Sequence, residues 1–163
     1  MIAVSVAKNR PEIRVTALDL SEDALSLAKE NAATNRVEIE FARSDLLASL
    51  PEDVGTDGNV FFVANLPYVR IGAPDMSPDT VFEPAMALYG GESTGFELTA
   101  DFLRQIEDFH VLRPDVGIGV ACEVGDDHEN EIRNAAAELG RDIRTFADLA
   151  GTHRFFTYRI WPS

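Results

Sequence analysis

The sequence predicts an α/β fold whose sheet is mostly parallel, and three observations carry that expectation. Helix-type and strand-type apolar patterns alternate along the chain. The central strand candidates are continuous apolar runs, the pattern of strands covered on both faces by helices. Near the end, a helix and a strand are followed by a last strand after a tight Ala150-Gly151 connection, which predicts an antiparallel hairpin on one edge.

Taken in order, residues 2–8 (IAVSVAK) are small and apolar and read as a helix that Pro11 closes. Residues 13–20 (IRVTALDL) form a β-branched run ending in Asp19 and Leu20. Ser21 is a candidate N-cap, with Glu22 and Asp23 in the first turn, where carboxylates favour the helix dipole. Leu25, Ala28 and Ala32 then repeat at helical spacing to about Asn35. Residues 37–42 (VEIEFA) alternate as a strand, Asp57-Gly58 reads as a turn, and 59–64 as a buried strand. Residues 70–94 hold three of the eight prolines and read as a long surface loop. Helices are expected over 96–109 and 127–139, and strands over 116–124, 143–146 and 155–161. No repeat or linker divides the 163 residues, which read as one domain.

Composition narrows the function. No apolar run approaches the roughly 18 residues a membrane span needs, and the start lacks a signal-peptide pattern. The single cysteine, Cys122, lies in an apolar run and cannot form an internal disulfide, which favours a reducing cytoplasm. Three histidines with no Cys/His cluster argue against a metal site. The formal net charge is −14, and the local excess at Arg141, Arg144, Arg154 and Arg159 is too sparse for a phosphate-following stripe. A nucleic-acid partner is therefore not expected.

In open α/β sheets ligands bind beyond the carboxyl ends of the strands, and Asp19, Asp45 and Asn65 each fall near such an end. Asp19 can accept both hydroxyls of a ribose, or it is simply a strand-to-helix turn residue. Asp45 can accept from an adenine amino group, or it serves a turn or an N-cap. Asn65 carries the strongest signal. In Asn65-Leu66-Pro67-Tyr68 the proline stiffens the chain and pushes Leu66 toward an extended conformation. The Asn65 side-chain oxygen and the Leu66 carbonyl can then converge, with Tyr68 as an aromatic wall. Two converging acceptors hold the hydrogens of a planar NH2 group, orient its lone pair and stabilise developing positive charge. The competing reading is an Asn-x-Pro turn.

NLPY resembles the Asn-Pro-Pro-Tyr type motif of S-adenosylmethionine-dependent methyltransferases that act on amide or exocyclic amino nitrogens. The stretches IAVSVAKNRPEIRVTALDLSEDALSLAKENAATN, FARSDLL, NLPYV, FEPAMALYGGESTGFEL, EVGDDHENEI and FADLAGTHRFFTYRI are similar, in order and spacing, to one branch: the glutamine N5-methyltransferases of peptide-chain release factors. The resemblance implies a Rossmann-like class I methyltransferase sheet, S-adenosylmethionine as cofactor and a release factor as protein substrate. It implies that Asp19 and Leu20 border the cofactor ribose, and that Asp45 and Leu46 border its adenine. Asn65 and Leu66 would hold the target amide at the edge of the cofactor site, shaped by Pro67 and Tyr68. Glu83 and Pro84, with Gly90 and Gly91, would frame the substrate side, Glu83 as a loop anchor.

Two departures bear on this reading. Leu66 stands where the branch usually has proline, and NLPY also occurs in ribosomal-RNA adenine dimethyltransferases. A nucleic-acid adenine N6-methyltransferase is the alternative substrate class. The family's first strand, its glycine-rich turn and its N-terminal helical domain have no counterpart before Ile2. The expected sheet is therefore truncated at its first strand, and a non-catalytic remnant is the third reading. A chain so truncated is expected to bind the cofactor weakly and to self-associate through unpaired sheet edges.

Overall fold

The computed structural model describes residues 2–56, 58–73 and 82–163. The chain forms two compact units, Met1–Val54 and Gly55–Ser163.

The first unit contains helix α1 (Ile2–Asn9), strand β1 (Thr16–Asp19), helix α2 (Glu22–Asn35) and strand β2 (Glu40–Arg43). β1 and β2 pair in parallel, Thr16 opposite Glu40 and Asp19 opposite Arg43. α1 ends just before Pro11, as expected, and buries Val4 and Ala7. α2 buries Leu25 and Ala32. Ser21 caps it as the sequence predicts: its side-chain oxygen accepts the Ala24 amide at 3.2 Å. Both strands are shorter than their apolar runs. Residues 10–13 are spent on a turn closed by Ile13 N donating to Arg10 O at 3.2 Å. At the other end of α2, Arg36 adopts the left-handed conformation at φ 56° and Val37 N donates to Ala32 O at 3.1 Å. Val37 thus terminates a helix instead of starting a strand.

The second unit has a four-stranded sheet in the order β3-β6-β8-β7, from β3 (Val60–Asn65), β6 (Ile118–Glu123), β7 (Arg144–Ala147) and β8 (His153–Ile160). β3 and β6 are parallel, while β8 runs antiparallel to both β6 and β7. The predicted C-terminal hairpin is therefore present, with β7 outermost. Its turn is built by Asp148, whose Oδ1 accepts the amides of Ala150 and Thr152 at 2.8 and 3.0 Å, with Gly151 at φ 86°. Helix α4 (Glu97–Leu112) contributes Phe102, Leu103 and Ile106 to a core shared with Val120, Phe156 and Ile160. Phe62 of β3 meets Phe109 of α4 edge to face at 5.5 Å. Helix α5 (Glu129–Leu139) starts two residues later than predicted and ends at Gly140, φ 63°.

Two sequence expectations need correction. β3 is not buried along its length: Phe62 is buried, whereas Phe61 and Val63 are 61% and 46% exposed. Nor is 70–94 one irregular loop. Strand β4 (Val69–Arg70), helix α3 (Ala85–Leu88) and strand β5 (Tyr89–Gly91) lie at its two ends, with β4 and β5 paired in parallel. Gly90 lets its backbone lie directly against that of Pro67-Tyr68, which a reading of glycine as loop composition overlooks. Residues 74–81 of that predicted loop, and Asp57 of the predicted turn, lie outside the described residues.

Candidate functional site

In the first unit the functional candidates gather at the carboxyl ends of the parallel pair. Asp19 is the last residue of β1 and is exposed. Its Oδ1 accepts the Ser21 amide at 2.8 Å, and its second carboxylate oxygen has no partner among the described residues. The backbone of Asp19 is tied to the next strand's end, Ser44 N donating to Asp19 O at 3.0 Å. Leu20 is exposed, and its carbonyl accepts from Arg43 Nε at 3.1 Å.

Ser44, which the sequence reading passed over, is buried and accepts the Ser49 amide through Oγ at 2.9 Å. It closes the turn that presents Asp45, whose carbonyl accepts from Ala48 N at 3.0 Å. Leu46 sits in the left-handed region at φ 49°. Asp45 is exposed and occupies a turn. The only sequence signal for Ser44 is that it is a small polar residue directly before Asp45.

In the second unit Asn65 is the last residue of β3, in register with Glu123 at the end of β6. Two parallel strands therefore stop together, and Asn65 is exposed at that edge. Its side-chain amide, which carries both a donor and an acceptor, has no hydrogen-bond partner among the described residues. Leu66, Pro67 and Tyr68 are half-buried. The Tyr68 hydroxyl is hydrogen-bonded to both Glu123 and Arg154. Burial, then the Glu123 charge, raises its pKa, against a lowering by Arg154. Arg154 is held in turn by Asp148 at 3.3 Å and Asp126 at 3.6 Å. The ring of Tyr68 is thereby pinned at its polar tip, a role the sequence reading did not assign to Glu123 or Arg154.

The backbone of Pro67-Tyr68 rests against glycines. A Cβ on Gly90 would lie 2.4 Å from Pro67 O and 2.9 Å from Tyr68 Cα, and one on Gly95 would lie 2.3 Å from Tyr68 O. Ile71 N donates to Gly91 O at 2.9 Å. Glu83 and Pro84 are exposed; Pro84 caps α3, its carbonyl accepting the Ala87 amide at 2.8 Å, while Glu83 has no partner among the described residues. Among the described residues, no group of three or more His, Cys, Asp or Glu side chains is placed to hold a metal ion.

Residues 1–68 match the family described as the methyltransferase small domain. The chain is 40% identical over 158 residues to the release factor glutamine methyltransferase of Koribacter versatilis, covering 94% of this chain and 52% of that protein. It is 36% identical over 171 residues to that of Mycobacterium leprae, covering 97% and 54%. The chain is thus similar in sequence to proteins named release factor glutamine methyltransferase. It spans about half the length of these curated relatives. Among solved structures, a methyltransferase from Pyrococcus furiosus superposes with TM-score 0.61 at 17% identity, over 95% of this chain and 66% of that one. The hMettl16 catalytic domain, solved with the MAT2A 3'UTR hairpin 1, gives 0.62 at 15% identity, over 99% and 62%. These likenesses show the fold, the Rossmann-like class I methyltransferase sheet the sequence led us to expect. No helix among the described residues is long and apolar enough to cross a membrane.

Proposed function

We propose that this chain is the S-adenosylmethionine-dependent methyltransferase domain of an enzyme that methylates a glutamine side-chain amide of a peptide-chain release factor in the cytoplasm. The observation that carries the reading is Asn65: an exposed amide at a strand end, without a partner among the described residues, followed by Leu66 and the stiff Pro67. Its similarity to proteins named for this activity supports the substrate class.

The cofactor fits the first unit. Asp19 offers a carboxylate with one oxygen engaged by Ser21 and the other without a partner among the described residues, the acceptor a pair of ribose hydroxyls needs. Leu20, Asp45 and Leu46 would complete that side. S-adenosylmethionine, when bound, supplies an electrophilic methyl group. The residues of the second unit would hold the acceptor: the Asn65 oxygen and the Leu66 carbonyl take the two hydrogens of the target amide, leaving its lone pair directed outward. Tyr68, fixed by Glu123 and Arg154, walls the planar group. No protein base is needed before attack, because positioning and charge stabilisation supply much of the rate.

Arginine pairing favours a protein substrate over RNA. Arg141 is held by Glu107 at 2.5 Å, Arg144 by Asp142 at 3.0 Å and Arg154 by Asp148 at 3.3 Å, while Arg159 lies over the Trp161 ring. Arg141 and Arg154 are held in partly buried pairs, Arg144 in an exposed one, and the net charge is −14.

The test uses the intact protein with isotope-labelled S-adenosylmethionine and a release factor. Label should appear on the glutamine amide, and Asn65→Ala should raise the barrier by about 2–4 kcal/mol, the scale of one oriented transition-state partner, with cofactor affinity unchanged. Label on RNA adenine instead, or transfer unaffected by Asn65→Ala, overturns the reading.

A further inference from the structure

The stretch Gly90-Gly91-Glu92-Ser93-Thr94-Gly95-Phe96-Glu97 contains a carboxylate that points back into its own loop. Glu97 opens α4, yet Oε1 accepts the amides of Ser93 and Thr94 at 2.8 and 3.0 Å, and Oε2 accepts that of Gly95 at 2.8 Å. The Thr94 hydroxyl donates to Oε2 at 3.4 Å. Gly91 makes room for this: a Cβ there would lie 1.9 Å from Oε2. The loop is gripped from the far side as well. His128, buried before α5, stands 3.1 Å from the Thr94 carbonyl through Nε2, which donates in the tautomer that fits. The Phe96 ring meets the His128 imidazole edge to face at 5.4 Å.

What this loop touches is the candidate clamp. Gly90 and Gly95 abut the Pro67-Tyr68 backbone with no room for a side chain, and β4 continues that backbone into pairing with β5. A rigid loop and a rigid Asn-x-Pro segment in contact at glycines leave neither able to shift alone.

We propose that Glu97 is a positioning residue: by fixing the 90–96 loop as the stop for the Pro67-Tyr68 backbone, it sets where the Asn65 amide and the Leu66 carbonyl point. The proposal rests on the amide-methylation reading for its catalytic consequence, but its structural content stands apart from that reading. Glu97 touches no substrate. It acts through the loop.

The intact protein carrying Glu97→Gln, nearly the same shape with one acceptor oxygen replaced by a donor, separates the two. Hydrogen–deuterium exchange is read first. The amides of Ser93 to Gly95 should exchange faster, and so should those of Tyr68 to Ile71, by about tenfold or more as local opening becomes cheaper. Methyl transfer should show kcat lowered about tenfold with KM for S-adenosylmethionine unchanged, the pattern of an interaction realised in the transition state. Exchange at Tyr68 to Ile71 equal to wild type overturns the proposal, as does faster exchange with unaltered kcat. If wild type transfers no methyl to a release factor, the functional reading falls, and the exchange result alone decides the positioning role. Thr94→Val, which removes one hydroxyl and keeps the carboxylate, should produce a smaller change of the same kind.

Discussion

Gly90 and Pro67 are in backbone contact: the space for a Gly90 methyl group lies 2.4 Å from the Pro67 carbonyl oxygen. The obstructing atom is main chain and cannot rotate away. Gly90→Ala should destabilise the protein by about 1–3 kcal/mol or more, the scale of overpacking a tight contact. Gly72 has none of the described residues within 4 Å of its own would-be methyl and a φ of +80°. Gly72→Ala should therefore cost only the left-handed strain, roughly 1–2 kcal/mol. Urea denaturation of the two variants checks the order.

Glu97 should make the second unit acid-sensitive. Burial alone would raise its pKa, but the backbone amides of Thr94, Glu97, Ser93 and Gly95 together outweigh that and hold it at about 2, below the ordinary 4.5. A depressed folded-state pKa means the stabilisation is complete above the unfolded value. It is lost as pH falls from about 4.5 toward 2. Unfolding midpoints measured across that range should fall with acid in the wild type and fall less steeply in Glu97→Gln.

Cys122 should be inert while the protein is folded. Burial pushes its thiol up to about 12, against a partial lowering by the Leu66 backbone. Thiolate is the reactive form, so at pH 8 a thiol reagent should label the native chain far more slowly than the urea-unfolded chain. Equal rates would mean that the strand beneath Leu66 opens readily.

Nucleic acid should not bind appreciably at physiological salt. Non-specific affinity comes from cations able to displace counterions, and most arginines here face carboxylates: Arg14 with Glu40 and Asp53, Arg43 with Glu22, Arg133 with Glu129. A fluorescence-anisotropy titration with single-stranded RNA should stay flat. Micromolar binding with a steep salt slope would favour the adenine substrate.

What could be read from the sequence was what is decided locally. Ser21 was recognisable as a cap because capping needs only a hydroxyl and the next turn of helix. The C-terminal hairpin was recognisable from two strand runs around Ala150-Gly151. Asn65 stood out because an amide between an apolar run and a proline serves either an Asn-x-Pro turn or a ligand. Distant partners could not be read. Nothing near Val37 says that it will answer to Ala32, and nothing near Gly90 says that Pro67 will press against it. Glu97 looked like any acid in the first turn of a helix, and Glu123 like any strand-end acid. Their partners lie in folded space: for Glu97 a loop turned back on itself, for Glu123 the hydroxyl of Tyr68.

The loop from Gly90 to Glu97 has the composition of a phosphate cradle, glycines followed by a helix, and successive amides that converge on one point. That point is already occupied by a side chain of the same loop. Glu97 serves as a built-in counter-anion, and the amides of Ser93, Thr94 and Gly95 are spent on it. A nucleotide phosphate or a free carboxylate would have to compete with a tethered rival at very high local concentration. Searches for anion sites that score glycine content before a helix will flag this loop, and titration with inorganic phosphate should find it silent.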